Sequence, residues 1–115
     1  MIVQKINIGV EGTFDMAFKY FAALSVLNGM NLVKRDLQLI AYSIAENKPV
    51  SEVKVEFIEK FGSSMATVGN IISKLYKLNI LKKNKRVVSI HPVFLPIAFE
   101  EDILLAIKLK HTNGN

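Results

Sequence analysis

Apolar and polar positions alternate with period two at the start of the chain, where Ile2, Gln4, Ile6 and Ile8 interleave with Val3, Lys5 and Asn7. That pattern predicts a strand ending near Gly9. Glu11-Gly12-Thr13 breaks it, and Thr13 is placed to cap a helix from Phe14 to Asn28, with Asp15 in the first turn and Gly29 as its stop. Phe14, Met16, Phe18, Tyr20, Phe21, Leu24, Val26 and Leu27 make this helix apolar nearly all round, so it requires cover on more than one side. A second helix follows from Asn31 to Ala45, its inner face formed by Val33, Leu37, Ile40, Ala41 and Ile44. Ser51 is expected to cap a third helix, with Val53, Phe57 and Phe61 as its buried stripe, and Gly62-Ser63-Ser64 turns the chain into a fourth. There Val68, Ile71, Ile72, Leu75 and Leu78 fall on the core side, with Met65, Thr67, Asn70, Lys74 and Lys77 on or near the other.

Asn79 stands where a left-handed helix stop is needed. Leu81 to Lys83 and Arg86 to His91 then predict a hairpin around Asn84, closed by Pro92. Further on, Ile103, Leu105, Ile107 and Leu109 alternate with Leu104, Ala106, Lys108 and Lys110. This reads as a final strand paired with the first, a helix beginning near Phe99 being the alternative. Residues 111–115 are expected to be a flexible tail.

A length of 115 residues fits one domain, taken here as 1–110 with a core at 32–91 and extensions at 1–30 and 92–110. Half the residues are hydrophobic and the mean hydropathy is +0.29, high for a small domain, so apolar surface should be covered by a partner. A homodimer through Phe14, Phe18, Phe21 and Leu24 of the first helix is the simplest cover, the alternative being that this helix is the monomer's own core. The absence of cysteine excludes disulfides and thiolate chemistry. No signal peptide is evident, and the apolar run from Phe14 to Leu27 is too short to span a bilayer, so a cytoplasmic protein without membrane contact is expected.

Charge changes the picture most. The net charge is +5, and from Lys60 to Phe99 there are seven basic side chains and no acidic one. A one-signed segment laid out as a helix face followed by a basic hairpin fits a polyanion.

The order of helix, helix, turn, helix and basic hairpin from Leu32 to Ile90 resembles the winged helix-turn-helix superfamily. The words that carry the likeness are Ser64-Met65-Ala66-Thr67-Val68 and Leu75-Tyr76-Lys77-Leu78-Asn79-Ile80-Leu81. MarR-like and replication-initiator-like members are the most similar, and the whole has the character of a small phage-encoded protein. The resemblance implies an α+β fold, a winged helix-turn-helix with an added N-terminal strand and helix and a C-terminal strand. It also implies a non-enzymatic, dimeric DNA-binding protein acting in transcription or replication. Gly69 and Asn70 stand where an arginine is common on the exposed face, which weakens base-specific readout.

On that footing Thr67, Asn70 and Lys74 lie nearest base edges. Ser63 and Ser64 hold phosphate at the helix start, and Lys77, Lys83, Lys85 and Arg86 add charge along the backbone. Met65 and Tyr76 read as packing residues, and His91 has no neighbour in metal spacing. Glu100-Glu101-Asp102 reads as a solvated turn, because adjacent carboxylates diverge. No cofactor, metal or catalytic centre is expected. The rival expectation is a phage structural or protein-interaction module whose basic hairpin meets an acidic partner.

Overall fold

The computed structural model describes residues 1–112, and the fold is α+β: four α-helices and one two-stranded antiparallel sheet among the described residues. Helix α1 runs Gly12–Asn28, α2 Lys34–Glu46, α3 Lys54–Phe61 and α4 Met65–Lys77, and strands β1 Leu81–Asn84 and β2 Val87–Ile90 follow. Short 3-10 turns at Val50–Glu52 and Pro92–Phe94 flank α3 and the hairpin.

Helix α1 starts two residues before the position expected from Thr13. Glu11 is the residue at its start, and the Glu11 amide donates to Asp15 Oδ2 at 3.0 Å in place of a hydroxyl cap. Lys19 Nζ joins the same oxygen at 3.0 Å and reaches the Gly9 carbonyl at 2.7 Å. The Glu11 amide, and then Lys19, hold the Asp15 carboxyl below its ordinary value. At the other end Gly29 adopts φ 62°, the left-handed stop that a residue without a Cβ makes cheaply. Buried Ser25 then organises the connection to α2, its carbonyl accepting from Met30 and its Oγ from Leu32 at 2.9 Å.

Packing explains the near-complete apolar surface of α1. Phe21 is fully buried, with α2 forming the main helix neighbour of α1 and the segment after the hairpin covering another side. Phe94 meets the Phe21 ring at 5.0 Å and Phe99 at 6.1 Å, while Tyr20 touches Phe99 edge-on at 5.3 Å. Phe14 stacks on Phe61 at 6.0 Å, and Phe14, Phe18 and Leu24 are half-buried against the same core. The four side chains expected to meet a second copy are thus spent wholly or partly within one copy.

Asp36 is the deepest charged group, 2% exposed, at the start of α2. Its Oδ2 accepts from the Val33 amide at 2.9 Å and from Lys74 Nζ of α4 at 2.6 Å, and Lys74 also reaches the Asn31 carbonyl at 2.8 Å. One carboxylate therefore caps α2 and ties it to α4. Arg35 Nη1 donates to the Phe61 carbonyl at 2.7 Å, satisfying an orphan acceptor at the end of α3.

Ser51 does not cap α3, which begins only at Lys54 behind Val53. Its hydroxyl is used elsewhere: Val88 N–H of β2 donates to Ser51 Oγ at 3.0 Å, and the hydroxyl reaches the Val88 carbonyl at 3.5 Å. Asn79 takes φ 60°, and Ile80 N–H to Leu75 O at 3.0 Å with Asn79 N–H to Tyr76 O at 3.1 Å complete the left-handed stop of α4.

Neither terminal strand forms. Residues 1–11 carry no regular structure, nor do residues 102–112, so the expected pairing of first and last strands is overturned, as is the helix near Phe99. An alternating pattern supplies a face but no partner for the backbone, and a lone pair of strands is marginal in water. Of the expected flexible tail, residues 113–115 lie outside the described residues.

Two outcomes follow. Lys74→Ala leaves the Asp36 carboxylate buried without its counter-ion and is expected to lower stability by about 2–3 kcal/mol, the low end for a broken buried pair because Lys74 is itself half-exposed; urea unfolding measures it. The Asp15 value, lowered from 3.8, makes its contribution complete above pH 3.8 and progressively lost as pH falls through the folded value. The protection factor of the Glu11 amide, taken against the free-chain exchange rate at each pH, should fall as pH drops through that window, and an unchanged factor would exclude the anchor.

Candidate nucleic-acid interface

The buried side of α4 is set by Val68, Ile71 and Leu75, at the spacing of one helical face. At 100° per residue the opposite face is centred on Ala66, Ser73 and Lys77, with Asn70 on one flank and Gly69, then Tyr76 and Met65, on the other, all exposed. Thr67 and Lys74 lie further round, toward the core. The expected base-facing set of Thr67, Asn70 and Lys74 is therefore off-centre by its choice of the longer polar side chains. Ala66, Gly69 and Ser73 were missed because small residues carry no chemistry of their own.

The serines at the start of α4 differ in availability. Ser64 Oγ accepts from the Thr67 amide at 3.2 Å and donates to Thr67 Oγ1 at 3.0 Å, so both hydroxyls are engaged in the cap. The Met65 and Ala66 amides have no partner within the described residues. Ser63 Oγ is shielded from solvent and has no hydrogen-bond partner, so its hydroxyl does not face outward as a phosphate contact.

The seven basic residues divide into two kinds. Lys60 Nζ lies 5.4 Å from the centre of the Tyr42 ring and Lys74 is committed to Asp36 and Asn31. Lys77, Lys82, Lys83, Lys85 and Arg86 are exposed, and none pairs with an acidic group among the described residues. Lys82, not named among the expected contacts, shares their exposure. The acidic residues of α3, Glu56 and Glu59, sit on a different element, Glu56 being paired to Lys48 at 3.7 Å.

Strands β1 and β2 pair Leu81 with Ile90 and Asn84 with Val87, leaving Lys85-Arg86 as a two-residue turn. Leu81 is buried, so Lys82 on the alternate position faces away from it. Lys85 adopts φ 59°, a left-handed conformation that strains an L-residue by about 1 kcal/mol. Glycine takes that conformation freely, yet the turn carries two cations. Gly69 presents the converse case: it sits mid-helix at ordinary φ, and a Cβ built there meets nothing within 4 Å.

Among the described residues there is no cluster of three metal-ligating side chains and no helix long and apolar enough to cross a membrane. No protein-family model, curated protein or solved structure matches the chain.

Both departures from local preference have a measurable sign. Gly69→Ala is expected to stabilise the free protein by about 0.5–1 kcal/mol, since alanine adds helix propensity without a clash. Lys85→Gly should leave stability unchanged or raise it by up to about 1 kcal/mol through relief of the strained turn. Thermal and urea unfolding report both; destabilisation by either would mean that the residue is held by its own fold.

Proposed function

We propose that the chain is a winged helix-turn-helix protein that binds double-stranded DNA without catalysis, through the outer face of α4 and the basic hairpin as its wing. The observation that carries this is the set of five exposed cations without an acidic partner among the described residues, Lys77, Lys82, Lys83, Lys85 and Arg86, distributed from the end of α4 to the hairpin tip. Three structural details support the arrangement. Helices α3 and α4 are separated by only Gly62, Ser63 and Ser64. The hairpin follows α4 after a tight left-handed stop. The Ser51 hydroxyl ties β2 back to the turn that precedes α3.

Gly69 and Lys85 add weight from stability. Each is worse for the isolated fold than its obvious replacement, and each lies on the proposed contact surface. Strain and lost helix propensity concentrated on one surface favour a role outside the fold. The small residues Ala66, Gly69 and Ser73 let the α4 backbone approach a groove closely, and Asn70 is the flanking side chain suited to bidentate contact with adenine. Affinity then rests mainly on phosphate, and sequence preference is modest. A role in transcription or replication, in a cytoplasm of bacterial or phage-infected type, accords with this mode of binding.

A second reading draws on the exposed Met65 and Tyr76 beside the charge, 60% and 52% accessible: an acidic protein partner in a structural or host-directed assembly. Salt titration of duplex binding separates the two. If all five cations contact phosphate, affinity for a random-sequence duplex should fall about 500-fold between about 50 and 200 mM salt. The combined Lys83, Lys85 and Arg86→Ala variant should show only an about ten-fold fall. Gly69→Gln should weaken binding without unfolding the protein, and Asn70→Ala should alter sequence preference. Failure to bind any duplex at low salt sinks the DNA reading.

A further inference from the structure

Outside the helical body, the two stretches that fail to form strands carry a run of exposed apolar side chains. Ile2, Ile6 and Ile8 are 70% to 92% exposed, and Leu105, Ile107 and Leu109 are 41% to 90% exposed. Each stretch alternates, with Ile2, Ile6 and Ile8 on one side against Val3, Lys5 and Asn7, and Ile103, Leu105, Ile107 and Leu109 against Leu104, Ala106, Lys108 and Lys110. The backbone from Ile2 to Ile8, and from Ile103 to Leu109, makes no hydrogen bond among the described residues. The radius of gyration, 15.6 Å, exceeds the about 13 Å of a compact chain of this length, as two extended stretches require. Thr13, after the first stretch, and Glu100, before the second, line the same open cleft.

We propose that residues 2–8 and 103–109 pair with the same segments of a second copy of this chain, forming a β-sheet shared between two subunits. A second copy fits better than pairing within one. Two strands alone make an isolated ribbon, which is marginal in water, whereas two copies supply four strands with a continuous apolar face. The exposed isoleucines and leucines offer several hundred square ångströms per chain, on the scale of the about 800 Å² per partner that a specific interface buries. Lys5, Lys108 and Lys110 stand on the opposite side of the two segments, beside Val3 and Leu104, and their charges disfavour a further layer stacking there. This surface also replaces the α1 face, whose Phe21 is fully buried within one copy.

The proposal is independent of nucleic acid and is tested without it. Sedimentation velocity of the full chain should show a dimer at micromolar concentration. Ile6→Lys with Ile107→Lys should weaken dimerisation at least about ten-fold. The thermal midpoint extrapolated to infinite dilution should stay unchanged, because neither side chain belongs to the monomer core. Amide exchange should show protection at residues 2–8 and 103–109 that disappears on dilution. A chain that stays monomeric up to the highest soluble concentration overturns the proposal, as does a dimer that persists in the double variant or protects α1 instead of these segments.

Discussion

A carboxylate closed off from water must be neutralised by something nearby, and in this fold the buried Asp36 is neutralised by Lys74 alone. Helix α4 therefore cannot rotate about its own axis or slide along α2 without exposing or orphaning that charge. With Lys74 turned inward, the azimuth of every other α4 residue is fixed, and Ala66, Gly69 and Ser73 are left facing out. The same oxygen accepts the Val33 amide, so the start of α2 and the orientation of α4 are settled by one atom. Such a pair contributes less to net stability than its short distance suggests, since both ions give up hydration. What it supplies is one register for two helices, in a core whose Leu, Ile, Val and Phe side chains would tolerate several.

The two halves of the molecule differ in how well local preference is met. Around α1, the Asp15 anchor, the Gly29 stop and the Ser25 hydrogen bonds satisfy the helix ends, and Phe94 and Phe99 close the remaining apolar side. Around α4 and the hairpin, an orphaned hydroxyl at Ser63, a glycine in mid-helix and a strained lysine at the turn are all retained. Consistency across levels is the mark of a region selected for folding. Its breakdown runs from the start of α4 to the hairpin turn and spares the region around α1.

The features readable in the sequence were those decided by neighbours in the chain. Gly29, Asn79 and the Ser64 cap lie at the predicted helix ends, and the hairpin strands fall within a residue or two of their expected bounds. Misreadings arose wherever a side chain is claimed from afar. Ser51 is a good cap by type, but β2 takes its hydroxyl; Lys74 looks like a surface lysine until Asp36 arrives from 38 residues away. The apolar circumference of α1 suggested a second copy because its actual cover, Phe94 and Phe99, lies some seventy residues downstream, which periodicity does not reveal. The end segments show the reverse limit, since alternation records which side chains would share a face without recording what the backbone would meet.

Among the described residues, the only hydrogen bonds between the hairpin strands and the helical body are those of the Ser51 hydroxyl with the Val88 backbone. A single side chain thus carries the polar link between the hairpin and the body. What otherwise holds the hairpin to the helical body is apolar: Ile80 and Leu81 are buried at its root, and Val88 and Ile90 pack on the same core, so its attachment rests on burial and one side-chain tether, apart from the Asp36–Lys74 pair that fixes α4.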